Sequence, residues 1–278
     1  MNGVEALIEA ERLPADYAAV VEAHWQPLAD RIAREAKRPL VVGINGAQGS
    51  GKTTLCRFLE QLLAERGLRA VTLSLDDYYL TRAERREAAE NDHPLFATRG
   101  VPGTHDIWLA EEVLGKLLAG RPAQLPRFDK ATDDRAVNVT PVDTPVDVIL
   151  LEGWCVGAVP QPAADLRVSV NRLEAEEDPD GVWRREVNRR LATDYAELFA
   201  RVDLLVMLKV SDFAAVRANR LLQERKLAAN RPNGGAIMDE ARLDRFLMHY
   251  ERLTRWMLDE MPQRADVLIE IGPDQRPL

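Results

Sequence analysis

The sequence predicts a three-layer α/β fold, with helices covering both faces of a central, mainly parallel sheet and an N-terminal helical extension over residues 1–38. Three observations carry this reading. Short apolar runs at 40–44, 148–151 and 204–208 have the character of strands buried on both faces. Segments with apolar residues at three- and four-residue intervals lie between them. The two patterns alternate through short links, as successive βαβ units do.

Taken in order, residues 4–38 read as helix, with Val20, Val21, Trp25, Leu28 and Ile32 at helical intervals until Pro39 stops the pattern. Residues 40–44 form a strand that runs into a glycine-rich segment. Residues 53–66 are helical, with Leu55, Phe58, Leu59, Leu62 and Leu63 on one side and Gly67 as the C-terminal stop. A second strand covers 70–75. Asp106 has N-cap chemistry for a helix over 107–118, whose Leu109, Val113, Leu114 and Leu117 recur at helical spacing. A third strand at 146–151 is followed by a helix at 183–202, a strand at 204–210, helices at 213–229 and 239–260, and a last strand at 267–271. The 278 residues thus divide into an extension, 1–38, and a catalytic domain, 39–278.

Composition narrows the partners. A formal charge of −8, from 37 basic and 45 acidic side chains, repels phosphate backbones, so no nucleic-acid partner is expected. Cys56 and Cys155 are far apart and in no CxxC pattern, which argues against a disulfide framework or zinc site and for a reducing, cytoplasmic setting. The first residues hold no apolar signal region, and the apolar runs are too short to span a bilayer, so no membrane partner is expected. No feature of the sequence sets an oligomeric state.

Gly46-Ala47-Gln48-Gly49-Ser50-Gly51-Lys52-Thr53 matches G-x4-G-K-[ST] in full, between a predicted strand and a predicted helix. Glycines there let backbone N–H groups wrap phosphates, and the helix start adds its positive dipole end. Residues 46–54, from Gly46 through Thr53 to Thr54, are the nucleotide-binding candidates. Lys52 would reach the β- and γ-phosphates of ATP, and the Thr53 hydroxyl would ligate Mg²⁺. The fold is therefore that of the P-loop NTPases. No LSGGQ-type signature marks a transporter ATPase, and no N-K-x-D motif marks a GTPase.

The second strand runs into Ser74-Leu75-Asp76-Asp77-Tyr78-Tyr79. A carboxylate at the C-terminal end of a neighbouring parallel strand stands beside the phosphate loop, so Asp76 can accept the proton of an attacking hydroxyl or hold a metal-bound water. The third strand ends in Glu152-Gly153-Trp154, an acidic residue in the place where a carboxylate orients the Mg²⁺ shell. Motifs on three core strands converge on one crevice, and the reaction class is phosphoryl transfer to a small hydroxylated acceptor.

These residues resemble the phosphoribulokinase, uridine kinase and pantothenate kinase superfamily, and the resemblance implies that Asp76 is the catalytic base. Arg99-Gly100-Val101-Pro102-Gly103-Thr104-His105-Asp106, Pro126-Arg127-Phe128-Asp129-Lys130 with Asp134-Arg135, and Glu152-Gly153-Trp154-Cys155-Val156-Gly157 resemble one branch, the plant-type D-glycerate 3-kinases. The likeness covers roughly residues 40–271 and implies D-glycerate as the acceptor; the tract 131–133 is short where the plant enzymes are expected to carry a longer, glycine-containing loop.

An anionic acceptor needs a cluster of donors. Arg99, His105, Arg127, Lys130 and Arg135 are concentrated in the loops around one short helix, and arginine suits a carboxylate because its planar fork donates two parallel hydrogen bonds. Asp77, Tyr78 and Trp154 complete the acceptor-binding candidates. His105 reads equally as a ligand or a turn-stabilising residue, and Trp154 as pocket wall or core. Arg220 and Arg225, on the helix where the superfamily carries a lid, would stabilise charge on the transferring phosphoryl group, whereas Arg217 reads as outer helix face. The lid covers about 212–238, and its Asn230-Arg231-Pro232-Asn233-Gly234-Gly235 has the composition of a mobile loop. The competing readings are a kinase of uridine, pantothenate or a sugar phosphate, and a nucleotide-dependent regulatory or assembly ATPase.

Overall fold

A computed structural model describes residues 3–36, 39–230 and 239–278, and the side chains of all of these except 224–230. In chain order α1 (Gly3–Ala10), α2 (Tyr17–Val20), a π-helical turn (Val21–Trp25) and α3 (Gln26–Glu35) precede β1 (Leu40–Gly46) and α4 (Lys52–Glu65). Then come β2 (Ala70–Ser74), α5 (Arg82–Asn91), α6 (Ile107–Leu118), β3 (Ala123–Leu125), β4 (Phe128–Asp129), β5 (Asp134–Arg135), β6 (Thr140–Val142) and β7 (Val148–Gly153). The C-terminal third holds α7 (Arg172–Glu177), α8 (Val182–Ala192), α9 (Asp194–Phe199), β8 (Leu204–Val210), α10 (Phe213–Asn230), α11 (Glu240–Glu260) and β9 (Val267–Ile271).

β2, β7, β1, β8 and β9 form, in that order, one wholly parallel sheet. Its strands are mostly apolar because side chains alternate between two covered faces. Val41, Ile149, Leu151 and Met207 pack into a core with α6, α9 and α11, while Leu40, Val42, Ile44, Leu150 and Val206 pack into a second core with the N-terminal helices and α4. The three-layer reading is met.

The N-terminal segment belongs to that second core: Tyr17 stacks on Phe58 with ring centroids 5.6 Å apart, and Trp25, Leu28 and Ile32 are buried with Leu55 and Leu62. The expected single helix over 4–38 is broken at residues 11–16. Arg12 is left-handed (φ 53°), and Pro14 has no N–H to donate and disfavours helical geometry at the residue before it. The helix expected at 183–202 is likewise two helices, α8 and α9. Thr193 (φ −116°, ψ −97°) parts them, its hydroxyl bonding back to the Arg189 carbonyl at 3.1 Å, an alternative to the helical ladder.

Nested antiparallel pairs form an arm between α6 and β7. Its outer pair is β3 with β6, and its inner pair is β4 with β5.

Candidate active site

Register sets the site. Parallel pairing places Ser74 opposite Glu152, and Ile44 and Asn45 opposite Glu152 and Gly153, so three strand ends open on one crevice at the C-terminal edge. Beyond β1 the chain turns through Gly49 (φ 79°) and Gly51 (φ 91°), conformations that side-chain-bearing residues rarely adopt. A Cβ on Gly49 would stand 2.8 Å from the Asn219 Cβ, so space as well as φ demands glycine. Gly51 caps α4 without a side-chain hydrogen bond, leaving the helix N-terminus facing the loop. Lys52 Nζ curls back to donate to the carbonyls of Gly46 (2.7 Å) and Ala47 (3.2 Å). Gln48, Gly49, Lys52 and Thr53 line the cleft; Ala47, Ser50 and Gly51 form the loop behind them, between Gly46 at the end of β1 and Thr54 in the first turn of α4. Among the described residues the buried Ser50 Oγ and Gln48 Oε1 have no hydrogen-bond partner, so the loop retains polar atoms for a bound group.

Asp76 lies in the helical turn that follows β2, and both its oxygens are engaged: Tyr79 Oη donates to Oδ1 at 2.8 Å and Lys130 Nζ to Oδ2 at 2.7 Å. Burial pushes this carboxyl up, but Lys130, the Tyr79 hydrogen bond and Lys52 outweigh it and hold it down at about 2. Glu152 is buried and accepts from Ser74 Oγ at 2.7 Å. Burial raises it above the ordinary value of 4.5, against the pull of Lys52. Two carboxylates in one crevice are thus driven apart in basicity by their surroundings.

The arm supplies the other wall. Asp77 accepts from Arg127 Nη1 (2.7 Å) and from the Phe128 backbone N–H (3.1 Å), tying the arm to the turn beyond β2. The short tract 131–133 puts Asp133 in a left-handed conformation (φ 56°), where it receives Arg85 and Arg99 together. Both guanidinium groups also lie 5.6 Å from the centroid of the Phe128 ring. Trp154 is pocket wall and scaffold at once, its Nε1 donating to the Gly100 carbonyl at 2.7 Å.

Of the residues singled out in the sequence, the structure brings Lys52, Thr53, Asp76, Asp77, Arg99, Arg127, Lys130, Glu152, Trp154 and Arg220 to one cavity of about 720 Å³. Tyr78, His105 and Arg135 stand outside it, and the expectation that they line the acceptor pocket is corrected. Backbone pairing of Tyr78 and Leu80 with Thr104 and Asp106 carries His105 beneath Tyr79, where the rings stack at 4.7 Å. There His105 Nδ1 meets Tyr195 Oη at 2.6 Å, and burial pushes the imidazole down to about 4, so it is neutral. Tyr78 is buried in the core, and Arg135 braces the turn by donating to Asp106 and to the Tyr79 carbonyl. Arg220 bonds Gln223 at 3.0 Å on the cleft side of α10, and Arg217 pairs with Asp244 of α11. The Arg225 side chain and the loop at 231–235 lie outside the described residues.

Tyr79, Phe246, Tyr250, Thr72, Glu60 and Gln223 also line the cleft and were not singled out. Tyr79 stood within the quoted strand-end motif; the others come from elements whose cleft-facing side only the packing reveals.

A phosphate-sized glycine loop, a lysine reaching over it and a carboxylate at the next strand end define a nucleotide-dependent phosphotransferase of the P-loop class. The sequence pattern of the phosphoribulokinase/uridine kinase family matches residues 41–172. The chain is 34% identical over 228 residues to an uncharacterised kinase, mug58, of Schizosaccharomyces pombe, covering 77% of this chain and 79% of that one. It is 30% identical over 260 residues to a chloroplastic D-glycerate 3-kinase of Arabidopsis thaliana, covering 86% of this chain and 54% of that one. A solved D-glycerate 3-kinase of Cryptococcus neoformans superposes with a TM-score of 0.77 at 28% identity, over 92% of this chain and 98% of that one. The chain belongs to the phosphoribulokinase/uridine kinase family of P-loop kinases and is an ATP-dependent phosphotransferase acting on a hydroxyl group. Among the described residues no helix is long and apolar enough to cross a membrane.

Proposed function

We propose that this kinase transfers the γ-phosphoryl group of ATP to a hydroxyl of D-glycerate. The observation that carries the reading is the convergence of Asp76 with the cations Arg99, Arg127 and Lys130 in one lobe of the cleft, beside the phosphate loop. A small hydroxy acid asks for that combination: cations for its carboxylate, and a base within reach of its hydroxyl. The likeness to the Arabidopsis and Cryptococcus D-glycerate 3-kinases supports the choice of acceptor.

The loop of residues 46–54 and Lys52 hold the phosphates, and Asp76 takes the hydroxyl proton as the acceptor oxygen bonds to the γ-phosphorus. Arg220 neutralises charge on the transferring group, a role that Arg225 would share. Mg²⁺, a hard cation that keeps several waters and binds few protein oxygens, fits the donor set of one hydroxyl, Thr53, and one carboxylate, Glu152. When bound it would offset charge on the phosphate oxygens. Residues 1–38 form an extension to the kinase domain at 39–278, and the buried, unpaired Cys56 and Cys155 suit a reducing cytoplasm.

The test is coupled ADP release with ATP, Mg²⁺ and a panel of D-glycerate, L-glycerate, uridine, pantothenate and ribulose 5-phosphate. Turnover specific to D-glycerate is the expected outcome. Turnover with another acceptor overturns the substrate assignment, and ADP release indifferent to every acceptor favours a regulatory ATPase.

A further inference from the structure

The acceptor lobe is electrostatically closed on itself. Arg99 pairs with Asp133, Arg127 with Asp77 and Lys130 with Asp76. An anionic acceptor entering this lobe therefore has to draw a cation away from a carboxylate that already holds it.

The pairs differ in how readily they open. Asp133 is shared by Arg99 and Arg85, and both guanidinium groups rest on Phe128. Arg127 is fixed twice, since its Nε also donates to Thr140 Oγ1 at 3.0 Å, and Asp77 is further held by the Phe128 N–H. Lys130 follows β4 at the tip of the inner hairpin, its side chain is 61% exposed, and its ammonium meets Asp76 Oδ2 at 2.7 Å. Of the three cations Lys130 is the most exposed, and its flexible stem and single rotating ammonium leave it the freest to move. Tyr79, the other group on Asp76, cannot yield in the same way, because its ring is buried between His105 and Phe128.

We propose that Lys130 is a substrate-operated latch on Asp76: it covers Oδ2 while the acceptor site is empty, and the acceptor's carboxylate draws it off and frees that oxygen for the hydroxyl proton. The inference rests on the reading of the acceptor as a hydroxy acid. In the step so released, the acceptor O–H bond breaks and its proton moves to Asp76 Oδ2. The acceptor oxygen bonds to the γ-phosphorus, the bond from that phosphorus to the bridging oxygen breaks, and ADP leaves with the electron pair. Asp76 then returns its proton to water. With the latch on, water that enters in place of the acceptor meets a carboxylate engaged on both oxygens, so ATP hydrolysis is suppressed until the acceptor arrives. Lys130 is in this sense a positioning residue, acting through Asp76.

The test compares the full chain with Lys130→Met, which keeps the stem and removes the charge, and with Lys130→Arg. ADP release is measured without acceptor, with D-glycerate, and with glycerol as a neutral acceptor. In Lys130→Met, acceptor-independent hydrolysis is expected to rise about tenfold or more, part of the ~10²–10⁴ that a free general base contributes. KM for D-glycerate rises as well, and Lys130→Arg restores tight coupling. Unchanged acceptor-independent hydrolysis in Lys130→Met overturns the latch, even if KM rises, because Lys130 then only binds substrate. Wild-type turnover of glycerol as fast as D-glycerate overturns it too. The acceptor-free arm does not depend on the acceptor's identity, so it decides the latch in either direction even where a wild type that ignores D-glycerate sinks the functional reading.

Discussion

The Tyr250 hydroxyl donates to the Arg99 carbonyl at 2.8 Å and stands 1.8 Å from where a Cβ on Gly100 would lie. Gly100 has φ 126°, which a side-chain-bearing residue rarely adopts, and its own carbonyl is held by Trp154. The turn that presents Arg99 to the cleft is thus pinned from α11 and from the end of β7 at once. Gly100→Ala is expected to destabilise the fold by about 3 kcal/mol, from backbone strain and overpacking together. Tyr250→Phe should cost only about 1 kcal/mol, the net value of one hydrogen bond, while raising the acceptor KM. Urea unfolding and steady-state kinetics of the two variants check both statements.

Acid should weaken the protein well before its paired carboxylates titrate. Burial pushes His105 and His249 down to about 4, from 6.5. Between those values the unfolded chain binds protons that the native protein refuses, so stability is full above pH 6.5 and falls as pH drops toward 4. Each histidine contributes up to about 3 kcal/mol across that window. Glu152, raised by burial, works in the opposite sense as pH falls through its raised value. The double variant His105→Gln, His249→Gln isolates the effect: its urea stability should change far less between pH 7.5 and 5 than that of the wild type.

Asp76 and Asp77 are neighbours with different work. Asp77 ties Arg127 and the Phe128 N–H to the turn beyond β2, and in the proposed mechanism the proton transfer falls to Asp76. Asp77→Ala should therefore raise the acceptor KM about tenfold through a loosened arm, with kcat within about threefold, since losing uniform binding moves KM alone. A fall in kcat as deep as that of an Asp76 variant would assign Asp77 to the chemistry.

What could be read in the sequence was whatever depends on local pattern. The phosphate loop, Asp76 and Glu152 follow from strand ends and short motifs, because a parallel sheet brings its C-terminal edges together whatever the rest of the chain does. The helix over Ile107–Leu118 was legible to the residue, Asp106 capping it through the Leu109 N–H as its chemistry implied. Long-range pairing was not legible. His105 and Arg135 carry the right chemistry for a ligand, but strand-like pairing of Thr104–Asp106 with the turn beyond β2 buries His105, and Arg135 is engaged by Asp106 and the Tyr79 carbonyl. Asp133 looked like part of a bare connector, and only the left-handed turn makes it a partner of two arginines. Helix α5 does carry a local signal, the capping box that Thr81 and Glu84 form at its start, but no apolar periodicity to accompany it.

The most direct test is the turnover of Asp76→Asn with ATP and D-glycerate, set beside its affinity for ATP. The account expects kcat to fall by about 10²–10⁴, the contribution of a general base, with ATP binding changed no more than about twofold. Turnover within about tenfold of the wild type would contradict it and remove Asp76 from the chemistry.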